Sequence, residues 1–192
     1  MNVSRAAASE PVLGVQDARV WLRASSEEED VIQALIQAAT DQVEENVCRT
    51  LVNRVVTYTL DAGEDRGPIW LPFGPVSAIT SVTAYNSSDT ETAITDYVLV
   101  GDKLHEASGT EGWRVANGRA YRSLVIVYTA GYGSTAEDVP EGLRVAVKKL
   151  CRDLFELRSS EVSGSSVAEV SSNWEKLCAP YRQGNLSQWA SG

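Results

Sequence analysis

The sequence predicts an α+β fold: a helical core of two long helices plus short helices, an antiparallel β insertion between the long helices, and a flexible C-terminal arm. Three observations carry this. Apolar residues step by threes and fours through Ile32, Leu35, Ile36, Ala39, Val43 and Val47. A second such ladder runs through Leu143, Val147, Leu150, Leu154 and Leu157. Between them the period changes to β-branched runs, broken by Gly, Pro and an Asn117-Gly118 pair.

Residues 1–13 show no core pattern and no apolar signal region, and are expected to be a disordered arm. Val15, Ala18 and Leu22 are at helical spacing and predict a short helix. Ser26 with Glu29 has the spacing of a capping box, and Glu27 to Asp30 suits the positive end of a helix dipole. The first long helix then runs to about Arg49.

Val52 to Leu60 reads as a strand, rich in side chains that suit a pleated surface. Asp61 to Pro68 is a turn region. Ile69 to Leu71 is a short strand ended by Pro72 and Pro75. Further strands are expected at Ile79 to Tyr85, Tyr97 to Val100, Lys103 to His105 and Leu124 to Ala130. Gly101-Asp102 and Asn117-Gly118 supply hairpin turns, the second because a type I′ turn needs positive φ at both centres. Pro140 opens the second long helix at a position where a missing N–H costs little. That helix is expected to end near Arg158. Ser159 to Asn173 is serine-rich and reads as a flexible linker. Trp174 to Cys178 is a possible helical turn stopped by Pro180. The division is therefore an arm over 1–13, helical core over 14–50 and 139–158, β insertion over 51–138, and linker with arm over 159–192.

Composition narrows function. The chain has 192 residues, 43% of them apolar, a formal charge of −9 and a pI near 4.7. An acidic chain does not clamp DNA by neutralising phosphates, although an acidic wall lets DNA slide past. No run of about 18 apolar residues predicts a membrane span. Cys48, Cys151 and Cys178 are far apart and read as free thiols, and His105 is the sole histidine. No metal site or cofactor is expected from so few scattered ligands.

One stretch asks for an enzyme. VIVYTAGYGSTAEDVPEGL has the outline of a dinucleotide turn: a strand, then Gly131, Gly133 and Ala136, then a helix. Such a turn works because free helix N–H groups meet the pyrophosphate. Here the helix starts only at Pro140, which has no N–H, and Glu137 and Asp138 stand where phosphate would come. The glycines read instead as a corner between strand and helix. Asp61, Glu64 and Asp65 read as a solvated acidic turn. Cys151, beside Lys148, Lys149 and Arg152, lies near its helix's apolar face and reads as structural. No catalytic set emerges, and the chain is not expected to be an enzyme.

Charge is the stronger signal. Ser26 to Arg49 holds seven acidic and one basic residue, a balance of −6; Val139 to Arg158 holds three and five, a balance of +2. Arg144, Lys148 and Arg152 recur every four residues on one helical face. Either both faces are solvated, or the basic stripe of one copy meets Asp41, Glu44 and Glu45 of the next, a heterologous contact that closes a ring when repeated. A DNA-channel lining is the third option.

The ordered set VWLR, EEEDVIQALIQAATDQVEENVCRTLV, TYTLDAG, IWLPFGPVSAITSVTAY, YVLV, AGYGSTAEDVPEGLRVAVKKL and WEKLCAPYR resembles the tailed-bacteriophage head–tail connectors, the gp6-like or gp8-like adaptors. The likeness runs from about Val12 to Arg182. It implies a structural virion protein in which the helical core builds a ring of about twelve copies below the portal. The partners implied are the portal protein, other copies of the chain, a downstream neck or tail protein, and genomic DNA passing without sequence-specific contact. No membrane is implied. The ring would lie in the virion neck, made in the host cytoplasm, and would serve DNA packaging and ejection. The C-terminal arm would dock on the portal through Trp174, Leu177, Tyr181 and Arg182, with Trp189 a further anchor. A stopper or tail-completion neck protein is the nearest alternative, and a small nucleotide-binding enzyme or hydrolase the alternative of another class.

Overall fold

A computed structural model describes residues 2–61, 67–86, 88–106, 121–163 and 173–183. The chain divides into two compact units. One takes in the described residues up to Ala8 and those of Asn53–Gly131; the other takes in Ser9–Val52 and Tyr132–Gln183. The Asn117-Gly118 turn, most of the Asp61 to Pro68 turn, most of the serine-rich linker and Trp189 lie outside the described residues.

The helical unit begins with α1 (Val15–Leu22) and α2 (Glu29–Val47). The stripe Ile32, Ile36, Ala39, Val43 and Val47 is fully or almost fully buried, as the spacing requires. The capping box falls one residue earlier than the sequence suggests. The Ser25 N–H and hydroxyl both donate to Glu28, closing a 3-10 turn over Ser26–Glu28 before α2 starts. Glu29 is thereby free to accept from Arg19 of α1 at 2.7 Å. Cys48 ends α2 in a left-handed conformation, φ 53°.

The β unit is antiparallel throughout. Residues 2–5 are not a disordered arm: Asn2–Arg5 is strand β1, paired from Asn2 opposite Thr59 to Arg5 opposite Val56. Its partner is β2 (Arg54–Asp61). Then come β3 (Ile69–Trp70), β4 (Val76–Tyr85), β5 (Glu91–Ala93), β6 (Tyr97–Val100), β7 (Lys103–Glu106) and β8 (Ser123–Ala130). Five strands form one sheet in the order β1-β2-β8-β4-β5, and three form a second in the order β3-β7-β6. Alternation sets their faces. Val56, Tyr58 and Leu60 of β2 and Leu124, Ile126, Tyr128 and Ala130 of β8 point into one core with Ile69, Leu71 and Leu104. β5 is too short and polar to be read from its sequence.

The segment Leu71 to Val76 is tied at both of its ends to one residue. Asp102 accepts the Leu71 N–H on its backbone carbonyl at 2.9 Å and the Val76 N–H on its carboxylate at 2.8 Å. Tyr128 adds a third tie, donating its hydroxyl to the Pro72 carbonyl at 2.6 Å from a fully buried position.

Two elements complete the helical unit: α3 (Glu141–Ser163) and α4 (Asn173–Cys178). Helix α3 continues past Arg158 into the first serines, so the linker starts later than expected. Its Leu143, Ala146, Val147, Leu150 and Cys151 are buried, and it packs on α2. Each such leucine contributes on the order of 2 kcal/mol through burial.

Candidate functional site

The acidic and basic residues singled out from sequence separate in the structure. On α2, Glu45 is exposed and Asp41 half-buried, the latter accepting from the Gln37 amide at 2.9 Å. Glu44 is not a surface residue. It is wholly buried, and its carboxylate accepts the Leu51 N–H at 2.8 Å just past the helix end. The step of one residue from Glu44 to Glu45 turns the side chain through about 100°, from core to solvent. Glu44 therefore leaves the set of subunit contacts.

On α3 the three cations do share a face, but two already have partners on the same helix. Arg144 pairs with Glu141, and Arg152 with Glu156 at 2.7 Å. The Glu156 carboxylate beside Arg152, hydrogen-bonded to it, raises the guanidinium pKa further. Lys148 is half-buried and Lys149 exposed, with no ion pair among the described residues. The far end of α3 is tied to the start of α2 by Arg158, which donates to Glu28 at 3.3 Å. The Ser25 N–H, and then Arg158, hold Glu28 below the usual carboxylate range.

The C-terminal segment through Gln183 is not a free arm. Helix α4 packs on α3 and α2, with Trp174 at 3% exposure and Cys178 at 0%. The residues after it fasten to the end of α2. Arg49 donates through Nε to the Tyr181 carbonyl at 2.9 Å, Arg182 donates to the Asn46 side chain at 2.9 and 3.1 Å, and the Gln183 N–H donates to the Val47 carbonyl at 2.9 Å. The Tyr181 ring covers Gly142, where an added Cβ would sit 3.1 Å from it. Of the four residues assigned to portal docking, Trp174 is committed to the interior, Leu177 and Tyr181 are half-buried, and Arg182 is exposed. Asn46, Arg49 and Gln183 were missed. Only the packing of α4 left a local signal: Trp174, Leu177 and Cys178 step by three and four, the spacing of a helix with something to pack against.

The AGYG loop serves the backbone. The Gly131 N–H donates to the Pro75 carbonyl at 2.9 Å, and the Tyr132 N–H to the Leu51 carbonyl at 2.9 Å. Gly131 has φ 143°, and a Cβ there would come within 2.5 Å of the Asn53 backbone nitrogen. At Gly133 a Cβ would collide with the Asp138 carboxylate. That carboxylate accepts the Thr135 N–H and hydroxyl, each at 3.0 Å, and these bonds keep it well ionised. The Asp138 side chain thus occupies the space beside Gly133.

His105 sits on β7, half-buried. Burial pushes the thiols of Cys151 and Cys178 up to about 11. Among the described residues, no group of three or more His, Cys, Asp or Glu side chains is placed to hold a metal ion, and no helix is long and apolar enough to cross a membrane.

Comparisons with known proteins define the class. The chain belongs to the phage gp6-like head-tail connector proteins, whose family model matches residues 14–111, from α1 through the end of β7. The family is one of structural connectors. No curated protein matches the chain. Among solved structures, similar chains occur in the neck of an empty gene transfer agent (GTA) particle computed with C6 symmetry, at TM-score 0.79 and 23% identity. Others occur in the virion of the native particle, at TM-score 0.76 and 20% identity, and in the native neck computed with C12 symmetry, at TM-score 0.73 and 23% identity. Each match covers 97% of both chains. These likenesses concern the fold.

Proposed function

We propose that this connector is the adaptor of a tailed-phage-like particle, forming a ring of about twelve copies in the neck, directly below the portal. The observation that supports this best is the family match joined to a fold likeness over 97% of the chain to proteins of particle necks. The ring extends the DNA channel and joins head to tail. DNA passes through its lumen without sequence-specific contact, in keeping with a net charge of −9. The protein is made in the host cytoplasm and ends in the virion neck.

Within the ring, Arg144, Lys148 and Arg152 face Asp41 and Glu45 of the neighbouring copy. The pairs Arg144–Glu141 and Arg152–Glu156 are exposed and exchange partners at little cost, since such pairs are worth well under about 1 kcal/mol. Lys148 makes no ion pair among the described residues and so has none there to give up. Portal docking rests on the outer side of the C-terminal segment, on Leu177, Tyr181 and Arg182, while Trp174 holds that segment in place.

Cryo-electron microscopy of the neck in intact particles tests the reading. A ring of this chain against the portal is the expected result. A position below another ring would make it a stopper or tail-completion protein, and absence from the neck would overturn the proposal.

A further inference from the structure

Arg182 differs from four other arginines of the helical unit. Arg19, Arg144, Arg152 and Arg158 each meet a carboxylate. Arg182 meets a neutral amide instead. Its Nε and Nη2 both donate to Asn46 Oδ1, at 3.1 and 2.9 Å, and no carboxylate pairs with it among the described residues. Gly184 to Gly192, which follow it in the chain, contain no Asp or Glu.

A guanidinium can grip two oxygens along either of two edges: side-on through Nε and Nη2, or end-on through Nη1 and Nη2. Asn46 occupies the side edge of Arg182. The end edge makes no hydrogen bond among the described residues, and the residue is exposed. An exposed arginine ordinarily samples many rotamers. This one is held at its side chain by Asn46 and at its backbone on both sides. Arg49 Nε donates to the Tyr181 carbonyl before it, and the Gln183 N–H after it donates to the Val47 carbonyl, each at 2.9 Å. The C-terminal end of α2 favours a cation nearby, but a helix dipole uses only the charge and leaves the fork unused.

We propose that Arg182 is a preset carboxylate receptor, and that its occupant is an Asp or Glu side chain of the portal protein; this rests on the portal-docking reading above. A carboxylate matches the end edge with two oxygens, and a charged bidentate pair is stronger than a bond to a neutral amide. The Asn46 bonds need not break, because the two acceptors use different edges. Asn46 is then a positioning residue: it aims the fork and lowers the ordering cost of docking. A DNA phosphate offers similar oxygens, but on a polyanion that a chain of net charge −9 repels.

Calorimetry of the full chain with purified portal protein, at low and high salt, is the test. The wild type is expected to lose affinity as salt rises. Arg182→Ala is expected to bind at least about tenfold more weakly at low salt and with a shallower salt dependence. Arg182→Lys keeps the charge without the fork and is expected to lose about fivefold. Asn46→Ala keeps charge and fork without the aim, and is expected to lose about threefold with the wild-type salt dependence. Arg182→Ala binding like the wild type overturns both the docking reading and the receptor. Weaker binding by Arg182→Ala with an unchanged salt dependence leaves the docking reading standing and overturns the receptor. Wild-type affinity in Arg182→Lys or in Asn46→Ala does the same. Binding of a duplex DNA fragment that Arg182→Ala abolishes also overturns it, by giving the fork to phosphate.

Discussion

The buried carboxylate of Glu44 accepts the backbone N–H of Leu51 at 2.8 Å, so a side chain of α2 closes the chain segment that leaves it. Removing that acceptor strands a buried N–H, which costs more than the bond itself contributes. Glu44→Ala is expected to lower stability by about 3 kcal/mol, and Glu44→Gln, which keeps an acceptor, by about 1 kcal/mol. Urea unfolding measures both. Equal effects would mean that the carboxylate acts through something other than this bond.

Gly131 is expected to tolerate no side chain. Its φ of 143° and the Asn53 backbone atoms beside it combine strain with collision against main chain that cannot swing aside. Gly131→Ala should cost more than about 2 kcal/mol, read as a lowered melting temperature. A loss of nucleotide binding with no loss of stability would instead revive the dinucleotide reading of this loop.

The C-terminal segment separates anchoring from docking. Trp174→Ala is expected to destabilise the helical unit by about 3–5 kcal/mol, as deletion of a buried aromatic does. Tyr181→Ala and Arg182→Ala are expected to weaken portal binding at least tenfold, with Arg182→Ala leaving the melting temperature within about 2 °C. Calorimetry and a pull-down with portal protein distinguish the two. If Arg182→Ala binds portal like the wild type, the docking assignment falls.

The thiols give a pH prediction. Cys151 and Cys178 titrate near 11 in the fold, against an ordinary 9.0, because burial disfavours the thiolate. A raised pKa means that the folded chain keeps protons which the unfolded chain has lost. Stability from this source is full below pH 9, declines as pH rises above that value and is gone once pH has passed about 11. At pH 8, alkylation of the native protein is expected to reach Cys48, which is partly accessible, while Cys151 and Cys178 react only after unfolding. Mass spectrometry of the labelled chain reads the order directly.

The two long helices were legible because their apolar steps are long and regular; Ile32 to Val47 and Leu143 to Leu150 are buried as the period demands. Strand β6 was read to its ends, since Gly101 marks the turn after it. The misses have tertiary causes. Asn2–Arg5 has one apolar residue, Val3, and is a strand because β2 offers it an edge. The capping box shifted by one residue because a 3-10 turn intervenes, a difference that the sequence pattern Ser25-Ser26-Glu27-Glu28-Glu29 leaves open. Glu44 reads as an acidic surface residue until Leu51 is seen to need an acceptor. The fastening at Asn46, Arg49 and Gln183 joins residues more than a hundred positions apart, beyond the reach of any local pattern. The charge stripe on α3 was visible, and Glu141 and Glu156, three and four positions from Arg144 and Arg152, carry the spacing of its internal pairs.

The bond from the Gln183 N–H to the Val47 carbonyl also orders events in time. A ribosome delivers the chain from its N-terminus. Once residue 131 has cleared the exit tunnel, every described strand is available, and the β unit can close. Helix α2 was made earlier, yet it must wait for α3, then α4, and finally for Gln183 before its last turn is covered. During that interval its apolar stripe stands open. The nascent chain is therefore most exposed to chaperones and to premature association at the stage when its sheets are complete and its helices are not.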